Sequence, residues 1–170
     1  MRLSSTFVGA LAALAPTVQA VGKAIVVNYC PFDVYLNSVG SEIGPEQHLK
    51  AYGGTYSELF RHDPRSGGIA IKLTLEPGGL LHGAPQTIFA YNLVLPVIWY
   101  DLSDVFGDPF AGYPLKLAPS DPSCPVLFWP DGIPPGPSQV RNCQSKSDLT
   151  LTLCAYPFKK KGEEEEAFLD

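Results

Sequence analysis

The feature that most restricts this chain is a two-residue hydrophobic period, cut every few residues by proline or glycine. Ile69, Ile71, Leu73 and Leu75 alternate with Ala70, Lys72 and Thr74. Further on, Leu149, Leu151 and Leu153 alternate with Thr150 and Thr152 up to Cys154. Side chains spaced in this way stand on opposite faces of a strand, one buried and one wet. The 17 prolines and 16 glycines gather between these runs, where they end strands and make turns. A helical bundle cannot absorb that punctuation.

Period and breaks together predict about eight short strands, at 23–28, 34–37, 55–59, 69–75, 86–95, 97–102, 126–129 and 149–154. The short link through Pro31, Phe32 and Asp33 predicts a hairpin between the first two. Short spacings throughout favour antiparallel pairing. The pattern weakens over 38–54, and 112–125, with Pro114, Pro119 and Pro122, reads as irregular. No internal repeat or amphipathic helix is evident. The expectation is an all-β antiparallel sandwich or barrel.

Both ends of the chain read differently from its middle. Arg2, the apolar run from Phe7 to Ala15 and the small-residue site Val18-Gln19-Ala20 have the form of a cleaved signal peptide over 1–20. The run is too short to span a bilayer. A sandwich domain is expected over 21–156. Residues 157–170, with Lys159 to Lys161 and Glu163 to Glu166, read as a charged, flexible tail. The formal net charge is −5, and losing Arg2 makes it one unit more negative. Nucleic-acid binding needs a basic face, so that class is set aside, and no membrane partner is expected.

An even count of cysteines in a secreted chain reads as disulfides. Cys30, Cys124, Cys143 and Cys154 allow three connectivities. Cys30 with Cys154 and Cys124 with Cys143 is favoured, because the first would tie the first strand to the last and the second would close a proline-rich loop. No Cys-x-x-Cys spacing accompanies them and His48, His62 and His82 are scattered, so no metal or other cofactor is expected.

The densest acidic feature is Asp101, Asp104 and Asp108, at the end of the Trp99-Tyr100 strand. Paired carboxylates can bind or hydrolyse sugars, and short acidic side chains also cap backbone amides in turns. The three form a candidate acidic groove for a ligand. No residue is assigned a catalytic role, since no nucleophile motif such as Gly-x-Ser-x-Gly is present. Of the many aromatics, most belong in a core, and Tyr52 and Tyr113 are the ones expected at the surface, where rings can stack on sugars.

The motifs also carry a family resemblance. Ala24-x-Val26-x-Asn28-x-Cys30-Pro31 with Val34-Tyr35, and Thr87 to Leu93 with Tyr100-Asp101-Leu102-Ser103, resemble thaumatin-like proteins. The block from Tyr100 to Phe110, Cys124-Pro125 with Trp129-Pro130-Asp131-Gly132, and Asp148 to Cys154 resemble a fungal group more closely, the Blastomyces yeast-phase-specific (antigenic thaumatin-like) family. The resemblance implies a disulfide-stapled thaumatin-like β-sandwich, secreted by a fungus, with first and last strands bridged. It implies no established activity for that group. Larger relatives have an acidic cleft linked to β-1,3-glucan. Asp101 matches one cleft aspartate, Ala90 stands where the relatives place a glutamate, and Phe106 falls on the next aspartate, with Asp104 and Asp108 beside it. The expectation is a non-enzymatic secreted protein acting at the cell wall or extracellular surface, with a wall polysaccharide such as β-glucan or an extracellular protein as partner. A weak endo-β-1,3-glucanase using the groove carboxylates is the alternative.

Overall fold

The structure is a computed structural model, and it describes residues 20–155. The signal peptide expected over 1–20 and the tail expected over 157–170 lie almost wholly outside those residues. Among the described residues the strands are β1 (Lys23–Asn28), β2 (Val34–Val39), β3 (Gln47–Leu49), β4 (Gly54–Leu59), β5 (Ile69–Thr74), β6 (Gln86–Val94), β7 (Val97–Val105), β8 (Leu115–Pro119), β9 (Leu127–Trp129), β10 (Arg141–Gln144) and β11 (Leu149–Leu153). One helical turn, α1 (Gly79–His82), lies between β5 and β6. Gly79 packs so close to Thr74 that a Cβ there would lie 2.8 Å from the threonine side chain.

The strands form a five-stranded sheet in the order β4-β1-β11-β8-β9 and a six-stranded sheet in the order β10-β7-β6-β5-β2-β3. The two-residue period does what it should. Val26, Leu117, Leu149 and Leu151 from one sheet meet Leu36, Ile71, Leu73, Phe89 and Ile98 from the other in a fully buried core. Across the sheets, buried Tyr91 on β6 donates its hydroxyl to Glu58 on β4 at 2.7 Å.

The hairpin expected between the first two strands does not form, because β1 and β2 lie in different sheets. Buried Asn28 turns the chain at this corner. Its Nδ2 donates to the carbonyls of Phe32, Leu49 and Lys50, and its Oδ1 accepts from the Cys30 amide. Nor is all the pairing antiparallel. β1 runs parallel to β11, with Asn28 opposite Leu153. Parallel neighbours need a long crossover, and here most of the domain supplies it. Cys30 and Cys154 close one end of that pair, with Cα atoms 5.0 Å apart. Asp148 holds the other end by accepting from the Lys23 amide at 2.8 Å. On the chain-entropy argument, closing 124 residues stabilises the fold by about 5 kcal/mol. The Cys124–Cys143 bridge, over 19 residues, contributes about 3 kcal/mol.

The segment read as irregular contains β8, in which Leu115 and Leu117 are buried against β11. Pro114 and Pro119 bracket the strand, and Pro119 ends it where a missing amide costs least. With β8 in place, loops 29–33, 50–53, 75–85 and 106–114 all fall at the same end of the sandwich, the end stapled by Cys30–Cys154.

Candidate functional site

The longest ladder is β6 with β7, nine register pairs from Gln86 opposite Val105 to Val94 opposite Val97. Ile98, Tyr100 and Leu102 are buried in the core. Strand alternation therefore places Trp99 and Asp101 on the outer face of the six-stranded sheet. Ala90 on β6 is the register partner of Asp101 and also pairs with Ala70 on β5. These two small side chains leave the middle of the outer face low. Asn92 and Trp99, paired on the same face, rise beside them.

The result is a groove of about 640 Å3 whose lining includes Val39, Ala70, Ala90, Asn92, Trp99 and Asp101, with Val140 closing one side. Trp99 is 42% exposed. Asn92 Oδ1 is buried without a donor, an unmet acceptor in the groove wall. Asp101 accepts from the Ser138 hydroxyl and from the Gln139 amide, the latter at 3.2 Å. It therefore anchors the loop before β10 beside the groove. Of the three positions to which the resemblance pointed, Ala90 and Asp101 are thus neighbours in one groove, and Phe106 is not among its lining residues.

The opposite wall includes Gly40, Ser66 and Gly68, and a residue that sequence reasoning treated only as a loop polar group organises it. Asp63 accepts from the Ser41 amide at 2.8 Å, from the Ser41 hydroxyl, and from the amides of Arg65 and Ser66 at 2.9 Å. The Ser41 hydroxyl and these amides hold its carboxyl well below the usual carboxylate range.

The structure does not bring all three predicted aspartates together. Asp104 is three residues beyond Asp101 on β7, so it stands on the other face, opposite buried Thr87. Its Oδ1 accepts from the Thr87 hydroxyl at 2.6 Å, and its Oδ2 is buried without a partner. Asp108 lies within hydrogen-bonding reach, folded back by a turn at Phe106 and Gly107, both at positive φ. Burial above all, and Asp108 as well, push the Asp104 pKa up to about 7, against the pull of the Thr87 hydroxyl.

A cluster of potential ligand atoms also joins Asp121 to Cys124 and Cys143. Both sulfurs are committed to a disulfide and offer no thiolate. Among the described residues no helix is long and apolar enough to cross a membrane.

Two packed sheets with a bridged parallel pair form a thaumatin-like sandwich. The protein elicitor MoHrip2 from Magnaporthe oryzae superposes with a TM-score of 0.64 at 28% identity, covering 79% of this chain and 99% of that one. The thaumatin-like xylanase inhibitor TLXI, at 16% identity and a TM-score of 0.50 over 78% of this chain and 99% of its own, shares the fold alone. The particular family follows from sequence. The Blastomyces yeast-phase-specific protein family model matches residues 11–155, and the chain belongs to that family. It is 34% identical to the antigenic thaumatin-like protein of Arthroderma benhamiae, over 89% of this chain and 84% of that protein. It is 28% identical to the secreted thaumatin-like protein calA of Emericella nidulans, over 78% of this chain and 81% of that protein.

Proposed function

We propose that this protein is secreted and acts without catalysis, binding a wall polysaccharide such as β-glucan in the outer-face groove. The observation that carries the reading is the half-exposed Trp99 beside Asp101 and Asn92, over a floor of two alanines. An indole face stacks on a pyranose ring, and flanking carboxylate and amide groups take its hydroxyls. Asp101 is the member of the acidic trio that lines this groove. Asp104 and Asp108 support the end of the same strand. The secreted relative, the two disulfides and the leader-like N-terminus all favour an extracellular setting. The elicitor among the structural relatives favours a second reading, an extracellular protein as partner.

The test is retention of the oxidised protein on insoluble β-1,3-glucan, chitin and cellulose, with the supernatant assayed for released sugar. Selective retention without release supports the reading. Sustained sugar release would replace it with the glucanase alternative, and absence of retention would turn the search toward a protein partner.

A further inference from the structure

The two ends of the sandwich differ in what they expose. Both ends expose aliphatic residues, Ile43, Leu59, Val94, Leu95 and Val126 away from the Cys30–Cys154 bridge and Leu75 and Leu81 at the bridged end. Among the described residues, every exposed loop aromatic lies at the bridged end: Tyr29, Tyr52, Phe106 and Tyr113. They spread across that end, from the β3–β4 loop that carries Tyr52 to the end of β7, four strands from β3 in the six-stranded sheet, that carries Phe106. The Tyr29 amide donates to Leu153, and the Tyr52 amide donates to Cys30. Tyr113 stacks edge-on against Phe32 at 4.9 Å, and Phe32 in turn meets Phe110, four residues beyond Phe106.

Two of the four stand out against their own backbone. Tyr52 has φ 58° and Phe106 φ 60°, a conformation that bulky side chains rarely adopt. Each is followed by a glycine at positive φ, Gly53 and Gly107. The two residues are 74% and 73% exposed, so burial returns little of the strain. A glycine or asparagine would hold either turn at less cost. An aromatic ring that is strained and left in water is best explained by something outside the fold that covers it.

We infer that this end is a second polysaccharide contact, independent of the groove, on which aromatic side chains meet the apolar faces of pyranose rings in an insoluble β-linked polymer. The rings stand out from turns instead of lining a recess, with open space around Gly53. Such projecting rings suit an extended sugar surface. Asp108 and Asp131, both exposed in the neighbouring loops, can accept sugar hydroxyls. The net negative charge opposes an anionic lipid surface as the occupant.

The test uses the full oxidised protein and a Tyr52→Gly/Phe106→Gly variant, with Trp99→Ala as the control for the groove. Retention on insoluble β-1,3-glucan, chitin and cellulose is measured beside calorimetric binding of soluble β-1,3-gluco-oligosaccharides. The glycine variant should lose about tenfold in retention on at least one polymer, keep its oligosaccharide affinity, and melt no lower than the parent. Trp99→Ala should do the reverse in solution, losing oligosaccharide affinity while keeping part of its retention. A glycine variant retained like the parent overturns the second contact and leaves the groove standing. Soluble binding without retention of the parent on any polymer has the same meaning. A parent that binds neither form overturns both, and the aromatic end then belongs to a protein interface.

Discussion

Asp101 and Asp104 stand three residues apart on β7, and their surroundings have little in common. Asp101 faces outward, takes hydrogen bonds from Ser138 and Gln139 and borders an open groove. Asp104 faces inward, leans on buried Thr87 and shares its space with a second carboxyl. An odd spacing on a strand puts two like residues on opposite faces. One acidic run has therefore become two features, a polar anchor beside an open groove and a buried carboxyl at the end of the strand.

The contrast can be broken most forcefully from the inward side. Thr87→Val removes the donor to Asp104 while keeping the shape, so it should cost about 2 to 3 kcal/mol at neutral pH, read as a fall in the chemical denaturation midpoint. Asp101→Ala should cost less, about 1 to 2 kcal/mol, through release of the Ser138 and Gln139 contacts. Its clearer signature is faster amide exchange in the loop before β10.

Asp104→Asn should move stability in the other direction. Burial and Asp108 hold the pKa of folded Asp104 at about 7, above the ordinary aspartate value of 3.8. Between those values the folded protein keeps a proton that the unfolded chain has released, so stability falls as pH rises through that window. The asparagine still accepts from Thr87 and carries no charge. It should flatten the slope and add about 1 to 2 kcal/mol at pH 8, a figure already reduced for solvent screening. Asp108→Asn should give the smallest effect, a shift of that pH slope toward lower pH without its loss. Equilibrium denaturation from pH 4 to 8 measures both variants.

Much of the fold was legible because strand period and punctuation agree along most of the chain. The strands missed were those too short to show a period, β3 and β10, and β8, whose two inward leucines sit between prolines. Pairing was less legible than strand identity. Nothing local in 29–33 says that the chain changes sheet there, because the instruction lies in buried Asn28 reaching carbonyls more than twenty residues away. The site was legible in part. Asp101 could be picked out by type and place. Trp99 was grouped with the core, since Trp99 and Tyr100 are equally bulky and only the register of Ile98, Tyr100 and Leu102 decides which one turns inward. The closeness of Asp104 and Asp108 depends on a positive-φ turn at Phe106, a residue type that gives no warning of it.

The most direct measurement is retention on insoluble β-1,3-glucan of three proteins side by side, Trp99→Ala, Asp101→Ala and Asp104→Asn, each compared with the parent. With the site on the outer face, the first two keep only part of the parent's retention, and Asp104→Asn is retained like the parent, because its carboxyl faces away from the groove. Equal retention of all three, or loss confined to Asp104→Asn, would contradict an outer-face site.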